Sequence, residues 1–253
     1  MIISVAQTQM YFLALTRVLA IIIHIPVLGG RMIPVKIRLA LGLLLAAILI
    51  PWNPLPVEAE ALSIFGLTIE IGRELIIGTI AGFAATLTFG AIQIAGEAMS
   101  SGSGFGAARI MNPAFGESGS AMDQLFTFIA LLLFMVLNGH HQFLMALQTT
   151  FKLIPLRSDL PILETAPLIS MFGRLVTLGI QMALPVMGTM LLTDIILGLL
   201  ARIAPQVQVF FLGLPLKISL GIIALILTFS VAFPLMSNLL KSIGPKMIEL
   251  LGG

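Results

Sequence analysis

Few side chains in this chain are equipped for chemistry, and six of them sit in greasy surroundings. Arg17, Glu70, Arg73, Glu74, Arg174 and Asp194 lie inside apolar runs or at their edges. An ionised group at the centre of a bilayer costs about 2.5–3.5 kcal/mol on insertion scales. Such groups must therefore pair, face a wet cavity, or be shielded from lipid. The stretch EIGRE places Glu70, Arg73 and Glu74 on one helix face at i, i+3 and i+4. Arg73 then meets Glu70 within its own helix, which leaves one carboxylate for Arg17 or Arg174. The plainer chemistry is a set of structural ion pairs that hold helices in register. The sharper one is a buried charge network that binds a neighbouring subunit or lines a polar path. A proton relay fits least, because relays string acids along several helices.

Other reactive patterns are missing. His140 and His141 are adjacent, so on a helix they point about 100° apart, and no further ligand has metal-site spacing. There is no HExxH, GxSxG or P-loop, and the glycines of GSGFGA (102–107) do not follow a strand in a βαβ frame. The absence of cysteine excludes disulfides and thiol chemistry. A net charge of +2 supplies no basic field for nucleic acid. The expectation is a non-enzyme with no catalytic residue, metal or cofactor.

The elements that must position these charges are unusually apolar. The chain has 253 residues, 58% hydrophobic and 9% charged, with a mean hydropathy of +1.12. A soluble domain carries about 25% charged residues, so this composition reads as all-α and membrane-associated. Apolar runs fall at Met10–Leu28, Ile37–Ile50, Ile69–Ala95, Leu125–Phe151, Ala166–Ile203 and Leu216–Leu240. A span takes about 20 residues; the second run is short for that, and the fourth and fifth are too long. Pro185 bends or breaks the fifth into a kinked helix or a hairpin. NGHHQ, Asn138 to Gln142, interrupts the fourth. About six bent or broken helices and hairpins result. The N-terminal MIISVAQTQM has no basic n-region and no A-x-A site follows it, so the first helix is expected to stay as an anchor. Arg31, Lys36 and Arg38 put the first loop in the cytoplasm by the positive-inside rule, although Lys152, Arg157, Lys241 and Lys246 fall on the opposite face. Gly78, Gly82, Ala85, Gly90 and Gly96 have the spacing that lets helices approach closely, for internal packing or for a subunit interface.

Between the third and fourth runs lies SSGSGFGAARIMNPAFGESGSAMDQ, Ser100 to Gln124. Glycine and serine keep such a backbone mobile. Phe105, Ile110, Met111 and Phe115 are spaced too irregularly for one helix face, and a pure linker has no use for them. The plainer reading is a surface loop. The alternative is a plug, since non-helical backbone is tolerated at membrane depth where it lines a cavity or is buried in protein.

Five blocks in order are similar to one family. PVLGGRMIPVKIRLALGLLLA (Pro26–Ala46), EIGRELIIGTIAGF (Glu70–Phe83), MNP (Met111–Pro113), NGHHQFL (Asn138–Leu144) and PVMGTMLLTDIILGLLARIAPQVQVFFLGLPLKI (Pro185–Ile218) resemble the FliR/SctT family of type III export-gate proteins across essentially the whole chain. Val207, Gln208 and Asn112 are mild departures from its pattern. The resemblance, strongest to the flagellar branch, implies a single domain: N-terminal helices over 1–95, a central plug loop over 96–124, and C-terminal helical hairpins over 125–253. It implies one subunit of a pseudo-helical export-gate complex in the bacterial inner membrane, at the flagellar basal body. The implied partners are P-type and Q-type subunits (FliP, FliQ), the B-type subunit (FlhB), unfolded export substrates and membrane lipid. It further implies that Phe105, Ile110, Met111 and Phe115 seal a closed channel, and that Gly102, Gly104, Gly106, Gly116 and Gly119 let the segment swing aside. A reading from a different class is a self-contained secondary transporter. It would show paired broken helices in two matching halves; Pro185 and Asn138–Gly139 are possible breaks, but no repeat relates them.

Overall fold

The computed structural model describes residues 4–30, 33–52, 61–103, 120–159, 165–206 and 209–253. Every regular element among them is a helix: α1 (Val5–Ile23), α2 (Pro26–Gly29), α3 (Val35–Trp52), α4 (Ile64–Ser103), α5 (Ala121–Val136), α6 (Gly139–Leu153), α7 (Thr165–Ile203), α8 (Val209–Lys241) and α9 (Ile243–Glu249). Four of them are long and apolar enough to cross a membrane, over Val5–Ile23, Ile64–Ser103, Ala166–Ile203 and Phe211–Lys241; the broken pair α5–α6 makes a fifth if counted as one span. The chain is an all-α membrane protein.

Local sequence explains most boundaries. Ser4 and Gln7 form a capping box at the start of α1, each satisfying the other's backbone N–H. Ser120 caps α5, its hydroxyl accepting from Asp123 N at 3.0 Å, and Asp123 favours that helix start electrostatically. The interruption expected at NGHHQ falls at Asn138, whose φ of 53° and ψ of 33° are left-handed. Asparagine accepts that conformation more readily than other residues with a Cβ. Pro185 lies inside α7, which runs on through it, so the fifth run is one helix and not a hairpin. Helix α4 extends eight residues past Ala95, to Ser103. At 40 residues it measures about 60 Å, twice the hydrocarbon thickness.

The residues form two compact units, Met1–Leu87 with Asn138–Ser170 and Lys241–Gly253, and Thr88–Leu137 with Met171–Leu240. In the first unit, three contacts tie α1 to α4. Arg17 pairs with Glu74. A methyl group added at Gly78 would lie 2.6 Å from Ala20 Cβ, and one at Gly82 would lie 2.9 Å from His24 Cβ. The offset between the partners stays at 57 to 58 residues, so the two helices run parallel. Helix α3 also packs on α1: a methyl at Gly42 would strike Leu19, and Tyr11 Oη donates to Leu43 O at 2.9 Å. Leu13, Val18, Ile21, Ile77, Phe143 and Leu147 are buried in this unit.

Gly78 therefore sits where two backbones touch. Gly78→Ala has to push Ala20 and the Arg17 carbonyl away, and is expected to destabilise the protein by about 1–3 kcal/mol. Gly72→Ala is the control. A methyl there meets nothing within 4 Å, so better helix propensity is expected to leave stability unchanged or raised by up to about 1 kcal/mol. Thermal denaturation in detergent compares the two.

In the second unit Phe126 stacks on Phe229 with centroids 5.8 Å apart, and Phe89 tilts against Phe134 at 6.1 Å. Small residues again allow close approach: methyl groups at Gly96 and Gly179 would lie 2.5 Å from Asp123 Cα and 2.6 Å from Ala91 O. Gly90, which shares the stripe in sequence, has nothing within 4 Å. The stripe is thus partly internal packing and partly free.

Candidate functional site

The centre of the first unit is a fully buried guanidinium. Arg17 and Glu74 are 0% and 1% exposed. Arg17 Nε donates to Glu74 Oε2 at 2.5 Å and Nη2 donates to Glu74 Oε1 at 2.9 Å, a bidentate pair. Nη1 donates to two main-chain oxygens, Thr150 O at 3.1 Å and Ile154 O at 2.6 Å. Those oxygens lie at the C-terminal end of α6, where a cation is favoured; Thr150 O also accepts from Ile154 N at 3.0 Å. The guanidinium carbon lies 4.5 Å from the centre of the Phe151 ring, within cation–π range. One side chain thus joins α1, α4 and the end of α6. Lysine has no planar fork to do this.

A buried pair of this kind adds little net stability over an apolar replacement, because two charges were desolvated to make it. Its effect is on register. Only one alignment of α1 on α4 brings the fork opposite Glu74, and only one end-point of α6 presents its carbonyls there.

The second charged group lies at the edge of the same unit. Arg73 donates to Glu70 at 3.0 Å and reaches Asp159 at 3.9 Å, with the Asp159 side chain fully exposed. The Arg73–Asp159 contact is exposed, and such pairs contribute about 0–1 kcal/mol. Two contacts escape sequence reasoning. Gln9 holds the entry to α4: its Oε1 accepts from Leu62 N at 2.8 Å and its Nε2 donates to Leu62 O at 2.9 Å. Thr150 and Ile154 serve Arg17 through their carbonyls, so their side-chain identities give no signal.

The six charges of the apolar runs do not gather into one buried network. Arg174 and Asp194 belong to the second unit and are exposed there. Asp194 pairs with Lys217 of α8. Arg174 makes no hydrogen bond or ion pair with a described residue. Both oxygens of Glu74 are committed to Arg17, while Arg73 takes one oxygen of Glu70 and leaves its buried Oε2 without a hydrogen bond. Of the residues expected to plug or hinge, Phe105, Ile110, Met111, Phe115, Gly104, Gly106, Gly116 and Gly119 lie outside the described residues. Gly102 lies in the last turn of α4, where a methyl group would come 3.3 Å from Met190 Cβ.

Long apolar helices, a helix stripe of small residues and a charge lock at a three-helix junction define a polytopic membrane protein. The family described as bacterial export proteins, family 1, matches residues 8–243, and the chain belongs to that family. The flagellar biosynthetic protein FliR of Escherichia coli K12 is 32% identical over 216 residues, 85% of this chain and 82% of that protein. FliR of Bacillus subtilis strain 168 is 29% identical over 232 residues, 90% of this chain and 89% of that protein. The Yop proteins translocation protein T of Yersinia pestis is 27% identical over 223 residues, 86% of this chain and 84% of that protein.

Proposed function

We propose that this chain is an export-gate subunit of the flagellar type III secretion apparatus. With P-type and Q-type subunits (FliP, FliQ) and the B-type subunit (FlhB) nearby, it forms the channel through which unfolded proteins cross the bacterial inner membrane at the flagellar basal body. The observation that carries this reading is the family match across residues 8–243. Relatives named for flagellar biosynthesis at 25–32% identity support the flagellar branch. The chain makes and breaks no bond; the work of transport comes from elsewhere in the apparatus. Its own part is to hold a passage and close it. The segment 96–124 is the plug of this proposal. Phe105, Ile110, Met111 and Phe115 exclude water from the closed channel, each worth about 1.5–3 kcal/mol when fully buried, and the glycines around them let the segment move.

A chromosomal deletion tests the reading. Loss of the chain is expected to abolish secretion of unfolded flagellar-type substrates into the medium, with restoration by a plasmid copy. A deletion strain that secretes at the normal rate would overturn it.

A further inference from the structure

The chain passes from one compact unit to the other four times, at Leu87–Thr88, Leu137–Asn138, Ser170–Met171 and Leu240–Lys241. Two of these crossings fall at breaks in a helix. At Leu137–Asn138, α5 gives way to α6 with a bend of 73°, and Asn138 holds a left-handed backbone at φ 53° with no side-chain cap bond. At Leu240–Lys241, α8 ends, and α9 starts anew at Ile243.

The other two crossings lie inside unbroken helices, α4 and α7. Each carries a glycine two residues past the boundary, Gly90 after Thr88 and Gly173 after Met171. A methyl group on either would meet nothing within 4 Å. Packing therefore gives no reason for glycine there. Gly78, Gly96 and Gly179 differ, since each lets another backbone come close. What Gly90 and Gly173 supply is conformational freedom: a glycine leaves the helical state about fivefold more readily than alanine. The Gly173 carbonyl also accepts from Thr177 Oγ1 at 2.8 Å, a back-bond of the kind that bends helices. Every crossing thus has either a broken helix or an unpacked glycine beside it.

We propose that these four crossings form a hinge. Helices α4 and α7 flex at Gly90 and Gly173, the α5–α6 and α8–α9 breaks absorb the matching change, and each unit turns as a body. Hinges of this kind confine the backbone change to a few residues while the packed parts stay rigid. That the turning serves passage of a substrate rests on the function proposed above; the hinge itself does not.

The chain contains no cysteine, so paired spin labels on introduced cysteines report cleanly. Phe12→Cys with Leu227→Cys takes one exposed position from each unit; Leu132→Cys with Leu191→Cys takes two from the second unit. Double electron–electron resonance on the full chain in lipid nanodiscs gives the spread of each distance. The cross-unit distance is expected to be the broader of the two. Gly90→Ala with Gly173→Ala is expected to lower the bent population about fivefold per site and so narrow the cross-unit distance. Gly72→Ala with Gly188→Ala changes equally open positions on the same two helices, but inside a unit, and is expected to leave both distances unchanged. Alanine fits all four positions, so thermal midpoints at or above wild type verify that each variant is folded. A cross-unit distance as narrow as the within-unit one in the wild-type chain would overturn the hinge. So would a cross-unit distance that both alanine pairs, or neither, narrow. Secretion by the deletion strain carrying each pair is read separately: a narrowed distance with normal secretion keeps the hinge and removes its part in export.

Discussion

Arg17→Met is expected to destabilise the protein by about 3–5 kcal/mol, the cost of breaking a buried pair by removing one partner. Methionine fills much of the space but donates nothing. Glu74 is left 1% exposed, carrying a charge with no counter-ion. Two carbonyls, at Thr150 and Ile154, lose the donor that Nη1 supplied. Glu74→Leu alone leaves the guanidinium stranded and is expected to be about as damaging. The pair together, Arg17→Met with Glu74→Leu, removes both charges and is expected to recover more than half of the single-variant loss. Thermal denaturation of purified protein in detergent measures all three. If the three variants were equally unstable, or if Arg17→Met alone cost under about 1 kcal/mol, the junction would not depend on the ion pair.

Deleting residues 106–119 is expected to produce the largest change in cell physiology. A single fully buried aromatic or aliphatic side chain contributes about 1.5–3 kcal/mol to closure, which is a factor of about 10–150 in the ratio of open to closed channels. The deletion removes three of the four proposed sealing residues, so ion and small-solute leak is expected to rise by at least that factor. Phe115→Ala should fall between wild type and deletion. Uptake of a normally excluded solute by growing cells is the measurement, with the apparatus confirmed to assemble. An unchanged barrier would remove the plug from the mechanism and favour the surface-loop reading of the central segment instead.

Much of this architecture was legible from residue order, and the exceptions have physical causes. The i, i+3 pairing of Glu70 with Arg73 follows from helix geometry and is present at 3.0 Å. Arg17 and Arg174 were equal candidates for Glu74, because separation along the chain says nothing about which helices become neighbours. Gly78 and Gly82 decide it, since their missing side chains bring α1 alongside α4. Asp194 read as a buried charge because its sequence neighbours are apolar; exposed Leu191, Leu192, Ile195 and Ile196 show that apolar neighbours on a membrane helix need not mean burial. Pro185 left a kinked helix and a hairpin open, and α7 runs through it as one helix. Proline lacks the N–H that would reach the Gln181 carbonyl, and membrane helices tolerate that loss where neighbouring groups and local adjustments re-satisfy the freed backbone. Contacts made through main-chain oxygens, such as those of Thr150 and Ile154, leave no mark in the sequence.

The export-gate assignment is tested most directly by a stalled substrate. A flagellar-type export substrate fused to a tightly folded domain enters the apparatus and jams there. With a photo-crosslinking amino acid at Met111 or Phe115, light is expected to join this chain to the stalled substrate, while the same group at Ile226, exposed on the apolar helix α8, gives no such product. If the stalled substrate cross-links to other subunits of the apparatus and never to either central position, this chain does not line the path.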